Sequence, residues 1–210
     1  MSAICTACEK ALVSLLVCEE CGSIQAAGQD LNPFEVLGLE QSIEIEHGAV
    51  RKRLLRLSRL THPDFFTAEP AELQELAEHA SAQLNAASKQ LDDPIRRADW
   101  LVNELGGPKE EEDRQMPQAF LMEVLEWNET LEEAKQAGTG NNSELDALES
   151  ELDSQRSDLL ASLIQTLTPL PERGGASLAG LRRTLNAVRY IDRTLGEIRN
   201  LRLPGASSSR

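Results

Sequence analysis

The segment Val50-Arg51-Lys52-Arg53-Leu54-Leu55-Arg56-Leu57-Ser58-Arg59-Leu60-Thr61-His62-Pro63-Asp64-Phe65-Phe66 decides how the chain is read. Val50, Leu54 and Leu57 recur at the spacing of one helical face, so a helix is expected over about 44–60. Pro63 pushes the residue before it out of the helical region, and Thr61-His62-Pro63-Asp64 is therefore expected to be a loop. Beyond it, Leu73, Leu76, Ala80, Leu84, Ala87 and Leu91 mark the buried stripe of a second helix, about 70–91. Two antiparallel helices thus flank a His-Pro-Asp loop. The first of them carries Arg51, Lys52, Arg53, Arg56 and Arg59 with no acid among them, in a chain whose net charge is −14. Such a local excess of cations suits an acidic partner surface.

Outward from this hairpin the pattern stays helical. Asn32 and Pro33 open a short helix as cap and first residue, and Gly38 breaks it. A helix from Pro94 to Leu105 stops at Gly106-Gly107-Pro108. The charged run 109–115 then reads as a solvated connector and sets the expected domain boundary. Three helices follow, at about 117–137, ended by Gly138 to Asn142, at about 144–167, opened by a Ser143-x-x-Asp146 capping box, and at about 177–202, after Pro169, Pro171 and Gly174-Gly175. Leu145, Leu148, Leu152, Leu159 and Leu163 face Leu178, Leu181, Leu185, Val188, Leu195 and Ile198, which is the pattern of a three-helix bundle. Aromatics are only 3% of the chain, whereas Leu, Ala, Glu and Arg are abundant, a composition that favours an all-α fold. With 210 residues, 40% of them hydrophobic, the chain divides into a small cysteine module at 1–28, closed by the hinge Ala26-Ala27-Gly28, and helical domains at 29–108 and 109–203. Residues 204–210 form a frayed tail.

The acidic balance, with a pI near 4.7, argues against non-specific binding to nucleic acid or to anionic membranes. No apolar run approaches the length that crosses a bilayer, and Ala11 to Val17 is too short and lacks the basic leader of a secretory signal. Glu9, Glu19, Glu20 and Asp30 interrupt any transit segment, so a reducing cytoplasm is expected.

Cys5-x-x-Cys8 and Cys18-x-x-Cys21 place two thiolate pairs on two tight turns, the arrangement in which four sulfurs converge on one structural Zn2+. With all four positions taken by cysteine, no coordination site is left for water or substrate. The alternatives are two disulfides or redox thiols, which a chain without a secretion signal disfavours. The histidines His47, His62 and His79 show no ligand spacing, so a zinc hydrolase or thiol oxidoreductase is disfavoured and no enzymatic activity is expected.

At 100° per residue, Phe120, Val124, Trp127 and Leu131 form one complete core stripe. Leu121, Met122 and Leu125 then fall beside or opposite it, with Glu126, Glu129 and Glu133 along their side. An exposed apolar patch with an acidic edge is expected, the usual mark of a binding site. The alternative is a wide core stripe flanked by solvated acids.

Asn32-Pro33-Phe34-Glu35-Val36-Leu37-Gly38-Leu39, the basic helix and Thr61-His62-Pro63-Asp64-Phe65-Phe66 resemble a J-domain. The resemblance implies that His62, Pro63 and Asp64, with the basic helix beside them, dock on a DnaK-class chaperone and trigger its ATP hydrolysis. Proline would hold the loop rigid so that imidazole and carboxylate are presented in one arrangement. Many J-domains carry Lys after the triad, where Phe65 stands here. Asp93-Pro94-Ile95-Arg96-Arg97-Ala98-Asp99-Trp100-Leu101, Gly106-Gly107 and Ala119-Phe120-Leu121-Met122-Glu123-Val124-Leu125-Glu126 are similar to the HscB family of iron–sulfur co-chaperones. This similarity spans about residues 32–200, and some members of that family carry a tetracysteine module. It implies an HscA-type chaperone and an IscU-type iron–sulfur cluster scaffold protein as partners. It also implies that Leu121, Met122, Leu125, Glu126, Glu129 and Glu133 bind the scaffold, together with Tyr190, where the family has Phe. The other reading is a general J-domain chaperone for unfolded clients, but neither a wide hydrophobic groove nor a Gly/Phe-rich linker is visible.

Overall fold

The computed structural model describes residues 3–25, 31–137 and 143–202. The hinge expected at 26–28, the helix stop at 138–142 and the tail at 204–210 lie outside them. From Pro33 onward the described chain is helical: α1 (Pro33–Leu37), α2 (Ala49–Thr61), a 3-10 turn (Pro63–Phe66), α3 (Ala71–Asp92), α4 (Pro94–Glu104), α5 (Gln118–Ala137), α6 (Ser143–Thr166) and α7 (Ser177–Leu201). The N-terminal segment pairs only through isolated antiparallel bridges, Ile4 with Ala11 and Val17 with Ile24. The protein is all-α, as its composition predicts. Two compact units, Met1–Trp100 and Leu101–Arg210, divide within α4.

In the first unit, Asn32 Oδ1 accepts from the Phe34 and Glu35 amides while Glu35 Oε2 accepts from the Asn32 amide. This reciprocal box, with Pro33 behind it, fixes the start of a helix too short to be stable alone. Gly38 ends it at φ 64°, and a Cβ there would stand 2.7 Å from the Val13 carbonyl oxygen. Glycine is needed for both reasons. α2 begins at Ala49, later than the pattern suggests, because residues 46–49 are taken up by a turn closed by Ala49 N–H donating to Glu46 O. It ends at Thr61, and His62 is extended (φ −64°, ψ 125°), as the following proline requires. On α3 the buried stripe is Ala77, Ala80, Leu84, Ala87 and Leu91. Leu73, expected within it, is exposed: it sits in the first turn, at the open end of the packed pair, where cover gives out. Phe34 stacks on Trp100 at 5.4 Å between ring centroids.

The cysteine segment packs against these helices. Leu15 N–H donates to Glu35 O at 3.0 Å and Ser14 Oγ to Val36 O at 2.7 Å. Glu19, its side chain 9% exposed, pairs with Arg53 at 2.6 Å and also with Arg56, and Arg53 Nε donates to Leu37 O at 2.6 Å. The first unit is thus joined by a carboxylate between two guanidiniums.

In the second unit α5, α6 and α7 enclose one core. Phe120, Val124, Trp127, Leu131 and Ala134 meet Leu145, Leu148 and Leu152, and Ala187, Ile191, Leu195 and Ile198. Arg182 is fully buried on α7, although a charged residue in a helix ordinarily faces solvent. Its guanidinium donates to Pro108 O at 2.6 Å and to Asn103 Oδ1 at 2.8 Å, which satisfies the buried group. The run 109–115, expected to be a solvated connector, is instead strapped onto α7. Asn186 Nδ2 donates to Asp113 O and Gln115 O, both at 2.8 Å, Arg183 pairs with Asp113, and Arg189 with Glu110. Two of its acids, Glu110 and Asp113, thus pair with arginines of α7, while Lys109, Glu111, Glu112 and Arg114 remain exposed.

The Glu19 clamp predicts an asymmetry that thermal unfolding can measure. Arg53→Ala is expected to destabilise the protein by about 1–3 kcal/mol, because it strips a nearly buried carboxylate of a charged partner and uncaps α1. Arg56→Ala, on a side chain 64% exposed, should cost no more than about 1 kcal/mol. Equal effects would contradict the clamp.

Candidate functional site

Each Cys-x-x-Cys forms the same backbone knuckle. Cys5 N–H donates to Lys10 O and Glu9 N–H to Cys5 O; the pattern recurs as Cys18 N–H to Ser23 O and Gly22 N–H to Cys18 O. Glu9 (φ 60°) and Gly22 (φ 74°) occupy equivalent left-handed positions. The four Sγ atoms converge within 4.8 Å of one another, with Cys5 to Cys21 and Cys8 to Cys18 at 3.7 Å. These separations are far too long for disulfide bonds, at about 2.05 Å. They match the edge, about 3.8 Å, of a tetrahedron of sulfurs at about 2.3 Å from a central cation. The site therefore fits a metal ion of zinc's size and preference.

Neighbouring groups support the sulfurs. Cys5 Sγ accepts from Ala7 N–H and from Gln25 Nε2, both at 3.4 Å, and Gln25 Oε1 in turn accepts from the Thr6 amide at 3.1 Å. Burial opposes ionisation of the Cys5 thiol, but donors from the Ala7 and Cys8 backbone and from neighbouring thiols outweigh it and bring its pKa down to about 6. At Cys8 a backbone donor from Lys10 favours the thiolate, yet burial and three neighbouring thiols push its pKa up to about 12. Without a cation the four sulfurs cannot all be anionic; a divalent cation removes that conflict.

At the α2–α3 turn, the Asp64 amide donates to His62 Nδ1 at 3.3 Å and the Phe65 amide to His62 O at 3.0 Å. The expected loop is thus an ordered 3-10 turn capped by its own histidine. With Nδ1 accepting, the neutral imidazole carries its proton on Nε2. The His62 and Asp64 side chains are exposed, and Phe65, also exposed, lies edge-on to the His62 ring at 5.9 Å. Arg51, Lys52, Arg56 and Arg59 are exposed along α2, of which Arg59 is in the last turn, next to His62. Arg53 is drawn inward to Leu37 and Glu19, so the five cations do not form one uniform face. Glu19 was not legible as a partner for them, because the two acids inside Cys18-Glu19-Glu20-Cys21 carry no periodic signal.

On α5 the core stripe and the outward face separate as helical geometry predicts. Phe120, Val124, Trp127 and Leu131 are buried, whereas Leu121, Met122 and Leu125 are 45%, 68% and 60% exposed. Glu126, Glu129 and Glu133 are exposed on the same helix. Tyr190 lies half-buried on α7, edge-on to Phe120 at 6.1 Å, and its hydroxyl exchanges hydrogen bonds with the Asn128 amide. Asn128 has no place in the sequence reading, although its spacing of three and seven residues from Leu125 and Leu121 puts it on their side of the helix.

Residues 116–199 match the family model described as the HSCB C-terminal oligomerisation domain. A co-chaperone protein HscB homolog of Ralstonia nicotianae is 33% identical over 167 residues, which cover 78% of this chain and 92% of that protein. The human iron–sulfur cluster co-chaperone protein HscB is 32% identical over 120 residues, covering 56% of this chain and 51% of its own length. The crystal structure of the human co-chaperone protein HscB superposes with a TM-score of 0.76 over 96% of this chain and all of that one, at 21% identity, and so shares the fold. Likeness at this identity across nearly the whole bacterial relative, joined to the same helical architecture, settles the matter: the chain belongs to the HscB family of co-chaperones.

Proposed function

We propose that the protein is an adaptor that brings an IscU-type iron–sulfur cluster scaffold protein to a DnaK-class, HscA-type chaperone in the cytoplasm and stimulates ATP hydrolysis by that chaperone. It carries out no bond chemistry itself. The observation that carries this reading is the exposure of Leu121, Met122 and Leu125 beside a core stripe that is already filled: burial in the bundle does not need them, and a partner does. The exposed His62 and Asp64 side chains, with the exposed cations of the preceding helix, suit the acidic surface of a second partner. The name of the human relative supplies the iron–sulfur context. No helix among the described residues is long and apolar enough to cross a membrane.

We assign the tetracysteine cluster to one structural zinc held by Cys5, Cys8, Cys18 and Cys21. The four cysteines would hold the ion between the two knuckles and so tie them together, with no ligand position left for water or substrate. Glu19, from the second knuckle, then transmits that order to Arg53 and α1.

Three outcomes follow. Elemental analysis should find one zinc per chain. Binding should release protons at neutral pH, because Cys8 is protonated there, and zinc affinity should fall as pH falls and protons compete for the thiolates; calorimetry in buffers of different ionisation enthalpy measures both. In steady-state ATPase assays, His62→Gln or Asp64→Asn should abolish chaperone stimulation while scaffold affinity stays intact, and wild-type protein and scaffold together should stimulate more than either alone. Loss of scaffold affinity in a folded His62→Gln protein would contradict the separation of the two surfaces. The triple change Leu121→Ala, Met122→Ala, Leu125→Ala should weaken scaffold binding by at least ~2 kcal/mol with little change in melting temperature. A structural role would instead cost about 2–5 kcal/mol per leucine and melt the bundle.

A further inference from the structure

A cavity of about 480 Å3 opens where residues 110–116 are strapped over α7, and its wall carries Arg114, Arg189 and Arg193. The strap is anchored on both sides of Arg114 by the Asn186 hydrogen bonds to Asp113 O and Gln115 O, which fixes the backbone that bears this arginine. Glu110 engages Arg189. Arg114 and Arg193 are exposed and form no ion pair among the described residues. The other acid in the wall is Glu111, so three arginines stand against two glutamates, a locally positive site in a chain of net charge −14.

Tyr190 connects this cavity to the apolar face of α5. Its ring forms part of the cavity wall, and its hydroxyl meets Asn128. At 100° per residue, the exposed side of α5 runs from Asn128 through Leu121 and Leu125 to Glu129, Met122, Glu133 and Glu126. Glu133 and Glu126 therefore lie on the far side of the apolar patch from Tyr190 and the arginines, whereas Glu129 and Glu132, both exposed, fall within it. The patch thus has an acidic far edge at Glu133 and Glu126 and a near edge, at Tyr190, that adjoins the arginines.

We propose that the Arg114–Arg193 cavity receives a carboxylate side chain of the same scaffold protein whose apolar residues cover Leu121, Met122 and Leu125. This rests on the functional reading above and deepens it, because the partner must then present a basic group, an apolar patch and an acidic group in matching order. Guanidinium groups recognise carboxylate oxygens in pairs of parallel hydrogen bonds, so the cavity would fix the register of docking as well as add attraction. A partner with only a basic edge would find one half of the surface unmatched.

The test uses the full-length zinc-loaded protein and the scaffold protein, with affinity measured by calorimetry at low and at high ionic strength. Arg114→Ala with Arg193→Ala should weaken binding about tenfold at low salt, with a smaller loss at high salt, and the Arg→Glu pair should weaken it further. Arg114→Lys with Arg193→Lys should retain most of the affinity and serves as a folded control, alongside far-ultraviolet circular dichroism of every variant. If the Ala pair binds as tightly as the wild type at low salt while Leu121→Ala with Leu125→Ala loses binding, the cavity plays no part and the scaffold face stands without it. If Leu121→Ala with Leu125→Ala also binds unchanged, the scaffold face itself is refuted and the role of the cavity falls with it.

Discussion

Each helix of this protein can bury one stripe, because successive side chains turn by 100° and a neighbouring helix covers only part of the circumference. With few aromatics to widen a core, that stripe is built largely from Leu and Ala at intervals of three and four. On α3 it is Ala77, Ala80, Leu84, Ala87 and Leu91; on α5 it is Phe120, Val124, Trp127, Leu131 and Ala134. Off the stripe a single apolar side chain such as Leu73 is tolerated in solvent, but a cluster of them is the usual mark of a contact with another molecule. Leu121, Met122 and Leu125 are neither polar nor covered, and this is why α5 is the helix on which the proposed function rests.

Charge is handled differently in the two units. In the first, a basic helix is kept mostly exposed, but Arg53 and Arg56 are held by Glu19, so a segment with almost no regular secondary structure is fastened to a helical hairpin. Such a segment buries too little apolar surface to order itself; the ion pair at its edge supplies part of what the core does not, and a metal ion held by the four cysteines would supply the rest. In the second unit Glu110 and Asp113, two of the acids of residues 109–115, are drawn onto arginines of α7. Composition alone describes that stretch as solvated. Its strapping depends on Asn186, Arg183 and Arg189, at a separation of 70 to 79 residues in the chain.

The sequence by itself determined the helices, their stripes and the positions of their main breaks, since these follow from local periodicity and from the stereochemistry of Pro63 and Gly38. It determined that Cys5, Cys8, Cys18 and Cys21 belong together, because tight turns at that spacing point both sulfurs of a pair one way. It also separated Phe120 and Trp127 from Leu121 and Leu125, since one helix sets both faces. Only the tertiary structure decided that Leu73 stays in solvent, that Arg182 is buried, that Arg53 turns inward to Glu19, and that Tyr190 stands between an apolar face and a basic cavity. The physical reason is the range of the interactions: periodicity acts within a few residues, whereas ion pairs and buried hydrogen bonds join residues distant in sequence and leave no repeat by which to find them.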